Sequence, residues 1–365
     1  MRMMALLLVV AGCSSSPQAA GGEEFVQLFN GRDLSGWVNV NGGPETWSVR
    51  GEEIVTSGHP SGILRSPKMY ENFVLELDWM HLKEGGNSGL FVHSGALPIR
   101  GNCFTKAFEC QIMLGDDPKG MYSRHGDMFS IQGAKFLPDR PHPQGWERCL
   151  PSEKRVKGAG EWNHYRVTSK DGSIKLEANG AEVSGGTKCV PRKGYICLES
   201  EGAECHFKNV RIRELPGSGA TAEETAETDQ GYATLYGGDL RGWKTSEEGH
   251  WTARDWRLGC DGKGKELLSE REVGDFALIV DWTTPKAGSV ELRVRGKAIV
   301  LEATSKAGQW NRAQVTVKGA TYTLAVNDTK MTDQGSLAGT APRGALALYS
   351  PDATTFANVY FKELK

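Results

Sequence analysis

The chain has 365 residues, enough for two domains at a loose measure of about 150 residues each. Its formal charge is −2, so it lacks the basic footprint that nucleic-acid binding requires. A hydrophobic share of 39 % with many Gly and Trp fits a β-rich protein, and beyond the N-terminus no apolar run approaches the roughly 18 residues of a membrane-spanning helix.

Arg2, the mostly apolar Met3 to Ala11 and the run Val10-Ala11-Gly12-Cys13 resemble a bacterial lipoprotein signal. That resemblance implies export, lipidation of Cys13 and attachment to the cell envelope, in the periplasm or at the outer membrane, through the lipid alone. Residues 14–22, rich in Ser, Pro, Gln and Ala, read as a tether, so residues 1–22 are set apart from the fold.

From there the chain is punctuated evenly. VLELDWM, GLFVH, AFECQIM, HYRVTSK, SIKLEANG, YICLESEG and FKNVRIREL are short runs of strand-forming residues bounded by Gly, Pro, Asn and Asp. No long amphipathic helix interrupts them. The pattern predicts an all-β fold of sandwich or jelly-roll type. The recurrent Trp residues are expected in the core.

The stretch from Glu84 to Met113 has the most chemical character. Strand side chains alternate between faces, so Phe108, Cys110 and Ile112 point one way and Glu109 and Gln111 the other. The same rule puts Leu90 and Val92 on one face and Phe91 and His93 on the opposite one. If the two runs pair, His93 falls near Glu109. An acid and an amide above an apolar face suit the floor of a polar cleft.

The chain then repeats. LFNGRDLSGW from Leu28 returns as LYGGDLRGW from Leu235, NFVLELDW from Asn72 as DFALIVDW from Asp275, GEWN from Gly160 as GQWN from Gly308, and FKNVRIREL as FANVYFKEL. Four matches in one order indicate duplicated domains. We therefore expect sandwiches over 23–216 and 231–365, joined by a partly extended, mobile linker at 217–230. The second copy replaces GGNSGLFVH with AGSVELRVR and lacks most of a long insertion at 115–158. That insertion carries Tyr122, Arg124, His125, Asp127, Arg140, His142, Trp146 and Arg148, a composition that favours function. Catalysis is thus expected in the first copy, with the second dispensable for it as a binding or spacing module.

Apart from Cys13 there are seven cysteines, six of them in the first copy. In an oxidising compartment up to three disulfides are expected, with no pairing singled out, while Cys110 and Cys260 suit buried thiols. No zinc-type spacing occurs.

LFNGRDLSGW, GGNSGLFVH, FECQI, GMY, GEWN and GYICLESEG with FKNVRI together resemble the 3-keto-disaccharide hydrolase domain across residues 25–215, with a second, reduced copy at 232–364. The resemblance implies a concanavalin A-like jelly roll, hence two tandem copies of that sandwich. It also implies action on glycosides already oxidised to a ketone at sugar carbon 3. That ketone acidifies the hydrogen on carbon 2, so a base can remove it, the group on carbon 1 can leave, and water can add. A glycoside or oligosaccharide is the implied substrate, and a separate sugar 3-oxidoreductase the implied upstream partner. The chemistry needs a base, a donor for the enediolate oxygen and an acid for the leaving group.

Glu109 matches the acid of the family's E-x-Q strand and suits a base or a metal ligand. His125 and Asp127, in RHGD, suit a base with its orienter or two metal ligands, and Arg148 suits an anionic intermediate. Asn87, Ser88, His93, Gln111 and Tyr122 are the substrate-binding candidates. His93 stands where relatives carry Arg, and Cys110 where they carry an aliphatic residue. A divalent cation is left open, with Glu109, Asp127 and Asp116 or Asp117 as oxygen donors. A lectin-like module is the alternative to an enzyme. A retaining glycosidase ranks last, because FECQIML offers one acid where two are wanted.

Overall fold

The computed structural model describes residues 24–115, 125–245, 247–286 and 288–365. The candidates Cys13, Asp116, Asp117, Tyr122 and Arg124 lie outside them. Among the described residues there is no helix, and the strands form four antiparallel sheets. Two of these sheets face each other within residues 26–214 and two within 233–363, so the chain is a pair of jelly-roll sandwiches.

The duplication reaches strand order. In the first copy the larger sheet runs, from inside to edge, through Asn163–Lys170, Phe73–His81, Cys205–Glu214, Glu53–Thr56 and Trp47–Arg50. In the second the same sequence is Asn311–Lys318, Phe276–Thr283, Thr354–Glu363, Arg257–Cys260 and Trp251–Arg254. Trp79 and Trp282 sit fully buried at matching positions, as do Phe207 and Phe356, and Trp47 and Trp251 are buried as well, which is the expected core role. The repeated Asn residues are scaffold. Asn179 and Asn327 take left-handed backbone at hairpin turns, and each donates from its side-chain amide to the Oδ1 of Asn163 or Asn311 at 2.9 Å.

All seven described cysteines are free thiols, not disulfides. Cys110, Cys149, Cys189 and Cys205 pack as small apolar side chains in the first core, Cys260 in the second, and Cys197 between the copies.

The linker makes specific contacts with the first copy. Thr225 bridges Lys193 in parallel, the Ala96 amide donates to the Glu227 carbonyl at 3.0 Å, and Asp229 ion-pairs with the buried Arg65 at 2.7 Å. A Gly- and Thr-rich stretch without an apolar pattern can still be held by its backbone groups, which composition does not report.

The first copy's smaller sheet positions the site. Its order is Arg148–Cys149, Met128–Ile131, Ala107–Met113, Asn87–Ser94, Tyr195–Ser200, Gly62–Arg65 and Val38–Val40. Leu64, Leu90, Val92, Phe108, Cys110, Ile112, Ile196 and Leu198 turn into the first core. The alternate residues face the other way, towards the site and the second copy.

Candidate active site

Cross-strand pairing sets the outward face in rows. Cys197 pairs with Phe91, Phe91 with Glu109, Glu109 with Phe129 and Phe129 with Arg148. In the next row Val40 pairs with Ile63, Ile63 with Glu199, and Gly89 with Gln111. Glu109 and Glu199 therefore stand on strands either side of Asn87–Ser94 and lean over Gly89. A Cβ added at Gly89 would lie 2.8 Å from Glu199 Oε2 and 2.9 Å from Glu109 Oε1. The two carboxylates meet above a glycine because only there is the space free.

Glu201, just past the end of its strand, completes an acidic cluster in a pocket of about 320 Å³. Asn87, Glu109, Gln111, Glu199 and Glu201 supply its polar lining, and Phe104, Met113, Phe129 and Ile131 its apolar lining. Two amides in series hold Glu201. Gln111 Nε2 donates to Asn87 Oδ1 at 2.6 Å and to the Ser88 carbonyl at 3.1 Å, and Asn87 Nδ2 donates to Glu201. The Tyr165 hydroxyl donates to the Gln111 carbonyl at 2.6 Å from the core below.

Burial drives the electrostatics. It pushes the Glu109 carboxyl well above the usual carboxylate range, and the charges of Glu201 and Asp127 push it further. Glu199 is raised in the same way by burial and then by Glu109 and Glu201, while Glu201 is raised by burial and by Asp255 of the second copy. Glu199 Oε2 is buried with no hydrogen-bond partner. The shifts favour the protonated form, and the three acids repel one another, so their protonation is shared across the cluster.

The remaining candidates fall differently. Asp127 and Arg148 are buried outside the pocket lining, with Nη1 of Arg148 3.7 Å from Asp127 Oδ2. The guanidinium lies between the Phe129 and Trp146 rings, and Trp146 stacks on His142 at 4.5 Å. Arg148 thus braces the Phe129 wall. His125 is buried, and its Nε2 accepts from the Arg155 amide at 3.2 Å. This ties it to the 151–155 segment.

His93 is not in the pocket. Its backbone is left-handed, at φ 51°, where the pairing with Tyr195–Ser200 slips by a residue. That bulge turns the ring into the core, edge-on to Phe73 and Phe108 and 3.0 Å from Ser169 Oγ. Simple alternation does not foresee it. Ser88 also faces away and donates to the Glu199 carbonyl at 2.8 Å, a structural contact.

Glu199 and Glu201 were not among the sequence candidates. Their signal is the spacing Glu-Ser-Glu in YICLESEG, one acid on the strand and the second, two residues on, just past its end. It lies on a strand other than FECQIML, where the pair was sought. Among the described residues, no group of three His, Cys, Asp or Glu side chains is arranged to hold a metal ion.

The second copy has none of this. The pairings that match Glu109, Gln111, Glu199 and Gly89 place Ala298, Val300, Tyr349 and Glu291 at the corresponding positions.

Residues 24–213, more than half of the chain, match the family described as the 3-keto-alpha-glucoside-1,2-lyase-like domain. The chain belongs to that family and is thereby a carbohydrate-active protein. Among solved structures, a protein from Parabacteroides distasonis provisionally described as a glycosyl hydrolase is 24 % identical over 53 % of this chain and 95 % of its own, with a TM-score of 0.41. A carbohydrate-binding module from Bacillus subtilis is 16 % identical over 49 % of this chain and 96 % of its own, with a TM-score of 0.36. A β-glucanase from Bacillus licheniformis is 15 % identical over 54 % of this chain and 100 % of its own, with a TM-score of 0.34. No curated protein matches the chain.

Two outcomes test the geometry. On the catalytic reading proposed below, Gly89→Ala is expected to leave the fold intact but lower kcat/KM by about 10²-fold, since its methyl group forces both carboxylates out of line. Thermal unfolding and kinetics on the same sample separate the two effects. Glu199→Gln is expected to raise Tm, and by more at pH 8 than at pH 5. Burial and the charges of Glu109 and Glu201 raise the folded-state pKa of Glu199 well above the ordinary carboxylate value of 4.5. The wild type therefore loses stability as pH climbs from there through the folded value, and the amide does not.

Proposed function

We propose that the protein cleaves 3-keto-glycosides by elimination and hydration at the acidic pocket of the first sandwich. The supporting observation is the meeting of Glu109 and Glu199 over Gly89, one poised to take a proton and the other to give one. In this reading the Glu109 carboxylate removes the hydrogen on carbon 2, and the electron pair moves onto the ketone oxygen. The pair then returns to form the bond between carbons 1 and 2 as the bond from carbon 1 to the glycosidic oxygen breaks. Protonated Glu199 supplies the proton that the departing oxygen needs. Water adds at carbon 1 of the resulting enone, and carbon 2 regains a proton, so the net change is hydrolysis.

Binding without chemistry fits less well. A cluster of buried, mutually repelling carboxylates costs stability, more than the acceptance of sugar hydroxyls alone calls for. A retaining glycosidase is the stronger rival, because three acids converge here. We further propose that the protein works outside the cytoplasm, held by lipid on Cys13, on sugars oxidised by a separate enzyme.

The experiment compares a nitrophenyl 3-keto-glucoside with its unoxidised parent. Release from the keto sugar alone is the expected result. Equal release from the parent would overturn elimination in favour of direct glycosidic hydrolysis.

A further inference from the structure

The pocket's own row of residues does not end at Glu199. The row continues through Ile63 to Val40, so a ligand groove crossing the strands would run on over those two side chains. Both are buried, and they share an apolar cluster with Ile279 and Tyr360 of the second copy. The second sandwich sits where the groove would continue.

Its docking face has been altered for the purpose. In the first copy the equivalent positions are the buried Glu76 and the exposed Arg211, which pair at 2.6 Å. The second copy has Ile279 and Tyr360 instead, so LELDW has become LIVDW and NVRIRE has become NVYFKE. Around them the buried polar groups are paired across the junction. The Tyr360 hydroxyl donates to Asn41 Oδ1 at 2.6 Å, and Asn41 Nδ2 donates to Asn358 Oδ1 at 2.9 Å. Asp281 accepts from the Gly101 amide at 2.8 Å, while Arg312 and Asn358 donate to the carbonyls of Pro98 and Ile99. These bonds grip the 95–106 loop, and that loop carries Phe104, a wall of the pocket. On the opposite side Asp255 accepts from the Ser61 amide and hydroxyl.

We propose that the second sandwich closes the groove beyond Glu199 and holds the loop of Phe104, so that the site takes a short glycoside or a chain end and excludes the middle of a polysaccharide. This rests on the glycoside-cleaving reading above. At about 320 Å³ the pocket is at the lower end of the ~300–1,000 Å³ usual for small-molecule sites, room for a ring or two. The second copy is then part of the site and not a dispensable spacer.

The test uses the full chain and Ile279→Glu/Tyr360→Arg, which restores the charge pair that the first copy tolerates at the same positions. Three probes are offered: a 3-keto disaccharide, a glucan with the ketone on its terminal residue, and a glucan with ketones only at internal residues. Wild type is expected to turn over the first two and to act at least tenfold more slowly on the third. The double variant is expected to lose that discrimination. Equal wild-type rates on all three would overturn the closure while leaving the chemistry standing. In parallel, calorimetry of wild type with unoxidised glucans of increasing length needs neither turnover nor the variant. Affinity that stops growing after about two residues supports the closure even if no probe is cleaved, whereas affinity that keeps growing overturns it. No binding of these glucans together with no turnover of any keto probe overturns both proposals.

Discussion

Glu109→Gln is expected to reduce turnover of a 3-keto-glucoside by about 10²–10⁴-fold, the range for removal of a general base. The amide keeps the shape of the side chain and cannot accept the proton. Because Glu109 is buried among acids and carries no ion-pair partner in the pocket, the variant should fold at least as well as wild type at neutral pH. A second signature follows from the shared charge. Burial raises Glu199 first and the Glu109 carboxylate raises it next, so removing that charge lowers the pKa of Glu199. The residual activity that needs protonated Glu199 should then fall off at lower pH than in wild type. A pH–rate profile of kcat/KM measures both effects together. Unchanged turnover would remove Glu109 from the chemistry.

Arg312→Ala should have the largest effect on stability. Asp281 is fully buried and accepts from Arg312 Nε at 2.6 Å and Nη2 at 2.9 Å, from Asn358 at 2.8 Å and from the Gly101 amide at 2.8 Å. Without the guanidinium its charge is left with two neutral donors, and breaking one side of a buried pair costs about 3–5 kcal/mol. Arg166→Ala is the control. Arg166 bonds the buried Glu76 at 2.7 Å, but Arg166 is itself partly exposed and Arg211 still holds the carboxylate, so a clearly smaller loss is expected. Denaturant unfolding of both variants reads the difference, and equal losses would contradict a tightly docked junction.

The fold was legible in the sequence because its signals are local. Alternating runs, Asn turns and a fourfold internal match follow from strand geometry, and each recurs in the sheet order of both copies. The site was legible only in part. Glu109, Gln111 and Asn87 obey strand alternation and converge as expected. His93 breaks it, because a bulge depends on register with a strand about a hundred residues away. Glu199 and Glu201 had a readable spacing, yet their partnership with Glu109 depends on Asn87–Ser94 lying between the two acidic strands. The disulfide expectation came from compartment and count, whereas the folded chain leaves all six first-copy cysteines as free buried thiols, four in the first core, Cys197 between the copies and Cys103 apart from both. The docked second copy had a signal too. Ile279 and Tyr360 replace a charge pair on what should be a wet face, and an apolar residue at such a position marks an interface.

The most direct measurement is cleavage of a 3-keto-glucoside in deuterated water, with deuterium at carbon 2 of the released sugar read by mass spectrometry and NMR. Free product incubated alone corrects for slow exchange next to the ketone. Abstraction of the hydrogen on carbon 2, followed by elimination and hydration, predicts solvent deuterium at that carbon in every turnover, with incorporation and aglycone release lost together in Glu109→Gln. Release of aglycone with the original hydrogen still on carbon 2 would contradict it and assign the three carboxylates to direct glycosidic hydrolysis.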